Sequence, residues 1–196
     1  WTLVLISILS LTIRYSSKIT EIVFDIKPKS GINIQSNPSE ALVFLDNTEV
    51  GKTPYEDKNL EPKEYLIKIE KDGAFWQGKL KLTPQTVAIV NRDLASDQAS
   101  FSGEILTLDR GRGMTIVSNP QDAEIEIDGK VFGKTPISVN ISPGEHTITL
   151  SHPNFLKRSI KASLPDGFNL TISVDMSLSE ADLTVGERGS NYKIKG

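Results

Sequence analysis

The sequence predicts an all-β protein made of two tandem, small antiparallel β-sandwiches, and three observations lead to that prediction. Residues 32–54 recur as residues 114–136, with ten identities in 23 positions and no gap. Within each copy apolar and polar residues alternate, which is the period of a strand with one buried face. No stretch keeps an apolar period of 3.6 residues, so the sequence does not favour amphipathic helices inside the repeats.

The individual strands follow from this alternation. In residues 123–127 apolar side chains alternate with two glutamates, and Asp128-Gly129 then gives a strong signal for a hairpin turn. The first copy has Asp46-Asn47 at the same place, and both residues tolerate a positive φ. Residues 65–69 and 146–150 show the same alternation. Several short strands separated by turn residues are typical of a small sandwich.

The composition favours a protein without catalytic chemistry. The chain has 196 residues, 38% of them hydrophobic and 24% charged, and a net charge of −3. These values are typical of one or two globular domains and give no electrostatic argument for nucleic acid. The absence of cysteine excludes disulfides, thiolate metal sites and thiol nucleophiles. Because His146 and His152 are the only histidines, we expect neither a metal site nor a cofactor.

The first segment is apolar. Residues 1–13 carry no charge, and Arg14 ends the run. We interpret residues 1–17 as the C-terminal part of a transmembrane helix, because a β-branched run without polar alternation suits lipid. Thirteen residues are fewer than the roughly 20 that span a bilayer, so a signal peptide or a buried core element remain as alternatives. Arg14 and Lys18 alone would favour a cytoplasmic downstream side.

The motif residues of the two copies resemble the PEGA domain family. They are Pro38, Ala41, Asp46, Gly51, Thr53 and Pro54 in the first copy, and Pro120, Ala123, Asp128, Gly129, Gly133, Thr135 and Pro136 in the second. Glu40 and Asp122 stand where the family motif has glycine. The resemblance covers residues 31–94 and 113–178. It implies transthyretin-like or immunoglobulin-like sandwiches, without known catalytic residues, in prokaryotic proteins that are often membrane-anchored or on the cell surface.

The repeats set the expected domain boundaries. After the anchor, the first sandwich with a leading strand occupies residues 18–94, and the second occupies residues 113–178. Residues 95–112 are predicted to be a linker, and residues 179–196 a polar tail or a linker. Two apolar runs, 22–26 and 105–108, are each predicted to form a strand that docks on the sandwich that follows. We expect the two sandwiches to be independent of one another.

One recurring motif looks like part of a nucleotide-binding site. Gly51-Lys52-Thr53 and Gly133-Lys134-Thr135 match the end of a phosphate-binding loop, but the first glycine of that motif is missing. A proline follows each threonine and pushes it towards an extended conformation. We therefore interpret Asp46, Asp128 and the two glycines as turn-forming residues.

Three aromatic residues are the candidates for a binding surface. Phe75 and Trp76 follow a turn in the first repeat, and Phe155 lies in the corresponding stretch of the second. They would contact a glycan or a protein partner if exposed together, or they would close the open end of each sandwich. His146 aligns with Tyr65 on an inward face and is expected to be a core residue rather than a ligand.

The expected function is a non-catalytic, membrane-anchored, extracytoplasmic scaffold of the cell envelope or cell surface. In the alternative, the tandem is a binding module that recognises cell-wall glycan or an envelope protein through loops or a free sheet edge. A further alternative makes the two repeats accessory domains of a larger enzyme or transporter.

Overall fold

The computed structural model describes residues 28–95 and 101–179, together with Trp1. These residues form fifteen strands and no helix, so the all-β prediction is confirmed for them. The strands are β1 (Ser30–Asn37), β2 (Leu42–Leu45), β3 (Thr48–Lys52), β4 (Tyr55–Leu60), β5 (Glu64–Lys71), β6 (Ala74–Lys81), β7 (Val87–Asp93), β8 (Ser102–Arg110), β9 (Gly113–Asn119), β10 (Glu124–Ile127), β11 (Lys130–Lys134), β12 (Ile137–Val139), β13 (Gly144–Ser151), β14 (Arg158–Leu164) and β15 (Phe168–Asp175).

Several predictions fall on other parts of the chain. Residues 2–17 of the predicted anchor, the apolar run 22–26 and residues 180–196 of the predicted tail lie outside the described residues. Within residues 28–95 and 101–179 there is no helix of the length and apolar character needed to cross a membrane.

Each repeat contributes an antiparallel four-stranded sheet. The first repeat, β1–β7, forms the sheet β3-β2-β5-β6, and the second repeat, β9–β15, forms β11-β10-β13-β14. The turn between β2 and β3 has positive φ at Asp46 (+50°) and Asn47 (+65°), and the turn between β10 and β11 has it at Asp128 (+52°) and Gly129 (+80°). These angles are those of a two-residue type I′ hairpin, whose twist matches that of its strands.

The remaining strands form one sheet of seven, in the order β12-β9-β15-β8-β7-β1-β4. This sheet corrects the antiparallel prediction, because β1 pairs with β7, and β9 with β15, in parallel. Parallel neighbours need a long crossover connection. Here the crossover consists of the four strands of the smaller sheet together with one strand of the large sheet, which is β4 in the first repeat and β12 in the second.

Strand β8 joins the repeats. It confirms the strand predicted over residues 105–108 and corrects the prediction that residues 95–112 form a linker. It pairs antiparallel with β7 of the first repeat and with β15 of the second. Leu106 and Leu108 pack against the core of the second repeat, whereas Ile105 packs against that of the first. Since successive side chains point to opposite faces of a sheet, the two cores lie on opposite sides of β8. The repeats are therefore not independent; they share a sheet while keeping separate cores.

Each core draws on both kinds of sheet. The fully buried side chains of the first include Ile32 and Ile34 from the seven-stranded sheet and Ile67 and Ile69 from the four-stranded sheet. The second core repeats this arrangement, with Met114, Ile116, Ile148 and Leu150 at the corresponding places. Inward positions are thus alike in the two repeats, as the period-two pattern of the sequence indicated.

Candidate functional site: the shared turns and the junction cleft

The threonine of each recurring motif is buried and bonded within the fold. Thr53 Oγ1 accepts a hydrogen bond from the Ala41 amide at 3.0 Å and lies 2.6 Å from Ser36 Oγ. Thr135 repeats these contacts with the Ala123 amide, at 3.1 Å, and with Ser118. Only 1% of Thr53 and 2% of Thr135 is exposed, so neither hydroxyl faces the solvent.

The aspartate of each hairpin turn ties the turn to the neighbouring strand. Asp46 Oδ1 accepts the Leu66 amide at 3.0 Å, and Asp128 Oδ1 accepts the Thr147 amide at 2.8 Å. The second carboxylate oxygen meets a side chain, which is Lys63 Nζ at 2.7 Å in the first repeat. These bonds lower the pKa of Asp46, through the Lys63 bond first and then the Leu66 amide.

In the second repeat the corresponding partner is His146. Its Nδ1 lies 2.6 Å from Asp128 Oδ2, and its Nε2 lies 2.9 Å from the Ser142 carbonyl oxygen. Because both neighbours are acceptors, the doubly protonated imidazolium fits this site best. The bond to Asp128 raises the pKa of His146, and the bond to His146 lowers the pKa of Asp128. His146 is buried and has both nitrogens partnered within its own repeat.

Backbone geometry accounts for other recurring positions. Gly51 has φ +154° and Gly133 has φ +140°, in a region that L-residues rarely adopt. Glu40 and Asp122, which replace the motif glycine, keep φ values of +62° and +64°. These positions shape the turn in both repeats whatever side chain they carry. The peptide bonds before Pro38, Pro54, Pro120 and Pro136 are cis.

The three aromatic candidates line one cleft at the junction of the repeats, of about 750 Å³. Phe75 and Trp76 form one wall together with the turn before them, and Phe155 and Leu178 of the second repeat form the other. Phe75 is 54% exposed, whereas Trp76 and Phe155 are half-buried. The structure therefore brings together residues that lie 80 positions apart in the sequence.

Trp76 also closes the end of the first core. The guanidinium carbon of Arg92 lies 4.1 Å from the centre of its ring, and the ring packs against the first core. A Cβ added at Gly78 would come within 2.5 Å of the indole, so the ring lies along its own strand above that glycine. Little of this ring is left for stacking against a ligand.

Beside the cleft, an arginine of the first repeat bonds to a carboxylate of the second. Arg92 NH1 donates to Asp175 Oδ2 at 2.5 Å, across the strand that separates β7 from β15. Gly103 of β8 lies between them, as the register partner of both residues. A Cβ at Gly103 would lie 2.8 Å from Arg92 Cδ and 2.3 Å from the Asn91 carbonyl oxygen. Only glycine lets the arginine cross here.

A second arginine spans the junction on the opposite face of β8. Arg158 of β14 donates through Nε to Glu104 at 2.5 Å and through NH1 to Asp93 at 2.9 Å. Asn91 Nδ2 also donates to Glu104, and Ser102 Oγ donates to Asp93, each at 2.7 Å. Asp93 and Asp175 occupy equivalent places at the ends of β7 and β15, so each repeat holds a carboxylate of the other.

The pKa shifts follow from burial and from these bonds. Burial lowers the pKa of Arg92, and the bond to Asp175 offsets part of that effect. For Arg158, burial lowers the pKa, but the bonds to Glu104 and Asp93 outweigh it and raise the pKa. Burial also raises the pKa of Asp93, but the bonds from Ser102 and Arg158 outweigh it and leave a lowered pKa.

Sequence reasoning missed the residues of this junction. A signal for Arg92 was present, since it continues the inward alternation of Ala88 and Val90 and so places a charge at an apolar position. Nothing in the sequence singled out Gly103. Nor did anything single out Arg158, whose two carboxylate partners lie more than 50 residues away. Among the described residues no group of three or more histidines and carboxylates is arranged to hold a metal ion.

Comparison with known proteins agrees with this repeated architecture. A search of curated proteins and a search of solved structures found no match to the chain. The family model of the PEGA domain matches twice, over residues 29–96 and 112–180, and these two matches together cover more than half of the sequence. The chain therefore belongs to the PEGA domain family and carries two copies of its domain.

Proposed function

We propose that the chain is a non-catalytic, membrane-anchored, extracytoplasmic scaffold in which two PEGA domains act as one stiff body. Membership of the PEGA family and a composition without cysteine support a non-enzymatic, surface-type module. We further propose that each repeat is a small β-sandwich of the transthyretin-like or immunoglobulin-like kind, with the four-stranded sheet and part of the seven-stranded sheet as its two layers.

The observation that carries the proposal is the shared strand β8. It bonds to both repeats along its length, and an arginine bridges the junction on each of its faces. Two domains on a flexible linker would change their relative orientation freely, whereas a continuous sheet fixes it. A fixed orientation is what a spacer or scaffold needs in order to hold its ends apart.

Paired spin labels test the stiffness. Because the chain has no cysteine, Thr48→Cys and Lys130→Cys place labels at equivalent, exposed hairpin tips of the two repeats. We expect a single distance distribution, as narrow as that of a control pair within one repeat, Thr48→Cys with Lys58→Cys. A distribution much broader than that of the control pair would contradict the scaffold proposal.

Cell fractionation tests the location. The chain is expressed in its native host with whatever sequence precedes Trp1 in its gene. We expect it to sediment with membranes after alkaline extraction, and an external protease to cleave it on intact cells. Recovery in the soluble cytosolic fraction would contradict both the anchor and the extracytoplasmic location.

The junction cleft favours a second role, as a site for a protein partner. Phe75 and Phe155 present aromatic surface from opposite walls, next to apolar Leu178. A glycan would need a free aromatic face for stacking, and the ring of Trp76 is already covered by Arg92. We therefore place a protein partner before a glycan as the occupant of this cleft.

A further inference from the structure

One wall of the junction cleft is an open sheet edge. Five consecutive residues, Gly73–Gln77, line the cleft, and they belong to β6 and the turn before it. β6 is the last strand of its four-stranded sheet, so its far side has no partner strand among the described residues. An edge strand presents main-chain donors and acceptors to any extended chain that lies beside it.

The register shows which main-chain groups point into the cleft. Asp72 (φ +50°) and Gly73 (φ +84°) form a two-residue turn between the paired residues Lys71 and Ala74. In such a hairpin the pair that flanks the turn is hydrogen-bonded, and the pairs then alternate. The amide and carbonyl groups of Phe75 and Gln77 therefore point away from β5, towards the open edge.

The second repeat shows what lies against the equivalent of the turn before β6. Its residues 154–156 correspond to residues 72–74, and an extended segment of its own chain lies against them. Leu156 N–H donates to the Ser177 carbonyl, and Ser179 N–H donates to the Asn154 carbonyl, each at 2.9 Å. Phe155 and Leu178 form an antiparallel bridge between the two stretches. In the second repeat an extended backbone, rather than a compact ligand, therefore lies against the turn that precedes the edge strand.

Side chains around the edge define the chemistry of the occupant. Beside β6 the cleft offers apolar surface from Phe155 and Leu178. On the other face β6 carries two exposed lysines and no acidic residue: Lys81, and Lys79, whose Nζ lies 3.6 Å from Glu64 Oε1 of β5. Like charges oppose the pairing of two β6 edges, whereas carboxylates on an incoming strand would be attracted.

We propose that the open edge of β6 binds an extended polypeptide strand in which apolar and acidic side chains alternate. The apolar side chains enter the cleft and the acidic ones meet Lys79 and Lys81, while main-chain bonds form at Phe75 and Gln77. This inference rests on the binding role proposed for the cleft and goes further, because it assigns the mode of recognition and the kind of partner.

Proline substitution separates strand addition from simple contact. Gln77→Pro removes an amide that points away from β5, so it blocks an added strand while leaving the β5–β6 pairing in place. Ser159→Pro is the matched control, because Ser159 holds the same place on the edge strand of the second repeat. The probe is a fluorescent synthetic peptide of alternating valine and glutamate, with a valine and lysine peptide as its charge-reversed control.

We expect the acidic peptide to bind, with binding at least tenfold weaker for Gln77→Pro and unchanged for Ser159→Pro. Amide exchange of Phe75 and Gln77 should be fast in the free protein and slow in the complex. Protection of these amides without peptide would overturn the inference, since it would mean that another part of the chain already covers the edge. Equal binding of the lysine peptide would overturn it too.

The other outcomes separate the two proposals. Peptide binding that survives Gln77→Pro but is lost in Phe155→Ala would overturn strand addition and keep the binding role of the cleft. Absence of binding in every case would overturn both, and would leave the stiffness of the scaffold to the spin-label distances. If Gln77→Pro does not fold, the exchange measurement on the unsubstituted chain still decides the question.

Discussion

The two repeats neutralise the carboxylate of their hairpin turn with different side chains. In the first, Lys63 neutralises the turn carboxylate of Asp46, and Tyr65 fills the inward position beneath it. In the second, His146 stands at the position of Tyr65 and itself neutralises Asp128. Both repeats therefore place a cation beside the turn, but from different positions, and only the second uses a histidine, whose pKa the bond to Asp128 raises.

The outward faces of the repeats differ more than their cores. Phe44 and Phe75 lie on the outer face of the first four-stranded sheet, with Lys68 Nζ within 5.5 Å of both rings. The corresponding positions of the second repeat carry Glu126 and Lys157. Inward residues were kept alike by packing, whereas the outer surface changed from apolar to charged. If one repeat contacts a partner, the first is therefore the better candidate.

Strand β8, which both repeats share, should be the most sensitive part of the molecule. At Gly103 the substitution Gly103→Ala would place a methyl group against the Asn91 carbonyl oxygen, at φ +149°. We expect a loss of about 4 kcal/mol, from overpacking and backbone strain of about 2 kcal/mol each. Chemical denaturation measures this loss.

Gly129→Ala is the control for Gly103→Ala. A Cβ at Gly129 meets no atom within 4 Å, so only its positive φ of +80° adds a cost, of about 1 kcal/mol. Equal losses for the two variants would mean that the junction is not tightly packed around β8. In that case the repeats would behave as independent domains.

Substitution of the two bridging arginines should cost different amounts of stability, and the more buried arginine, Arg92, should cost less. Arg92 is the more buried, at 3% exposed, but its partner Asp175 has a side chain 38% exposed and can be hydrated once alone. Arg158→Met instead leaves Glu104, whose side chain is only 11% exposed, without its cation. We expect about 3 kcal/mol for Arg158→Met and about 2 kcal/mol for Arg92→Met in urea denaturation. The reverse order would show that burial of the arginine itself decides the cost.

Particular residues show how far the sequence could predict this molecule. The alternation in residues 123–127 and 146–150 predicted two strands, and the structure confirms them as β10 and β13. It was informative because the inward residues are apolar and the outward residues are polar. The parallel pairing of β1 with β7 could not be predicted, since five other strands lie between them in the sequence and nothing local records their register. Gly103 was equally hidden, because its role depends on an arginine that crosses it in space.

The sequence could predict the three aromatic residues of the cleft but not that they lie close together. The hairpin turns identified Phe75 and Trp76 as residues at a loop, but their proximity to Phe155 depends on the pairing of β8 with both repeats. The sequence predicted a strand over residues 105–108 that docks on the second repeat alone. Without β8 in place, the two loops had no reason to meet. Periodicity therefore predicted the separate repeats, and the junction between them required the structure.

Turn glycines should have equal effects in the two repeats. Gly51→Ala and Gly133→Ala each place a Cβ at strained φ, 3.2 Å from the Tyr55 ring and 3.1 Å from Ile137 Cδ1. We expect each to lower the free energy of unfolding by about 1–2 kcal/mol and to leave partner binding per folded molecule unchanged. Thermal melts and a binding assay on the same samples test both claims. Unchanged melting with lost binding would make these residues a functional site.

The smallest effect should be a pH dependence confined to the second repeat. The bond to Asp128 raises the pKa of His146 above its usual 6.5. Stability from this pair is therefore fully present below pH 6.5 and is lost as the pH rises through the folded-state pKa. At the acid end, the lowered pKa of Asp128 keeps the pair intact until the pH falls below about 3.8, the usual value. Proton NMR of the His146 ring should report the raised pKa directly.

Two variants isolate this effect. In His146→Gln, the loss of stability as the pH rises above 6.5 should shrink, because the titrating group is gone while the amide side chain can still bond to Asp128. Lys63→Gln should lower stability by a similar amount at pH 6 and pH 8, since the Asp46 bond raises the pKa of Lys63 and both groups stay charged over this range. Glu145 and Lys161 lie beside His146 in the same shallow pocket and carry opposite charges. If the pH dependence persists in His146→Gln, it arises elsewhere, and the contrast between a permanent and a titratable cation does not govern the stability of the repeats.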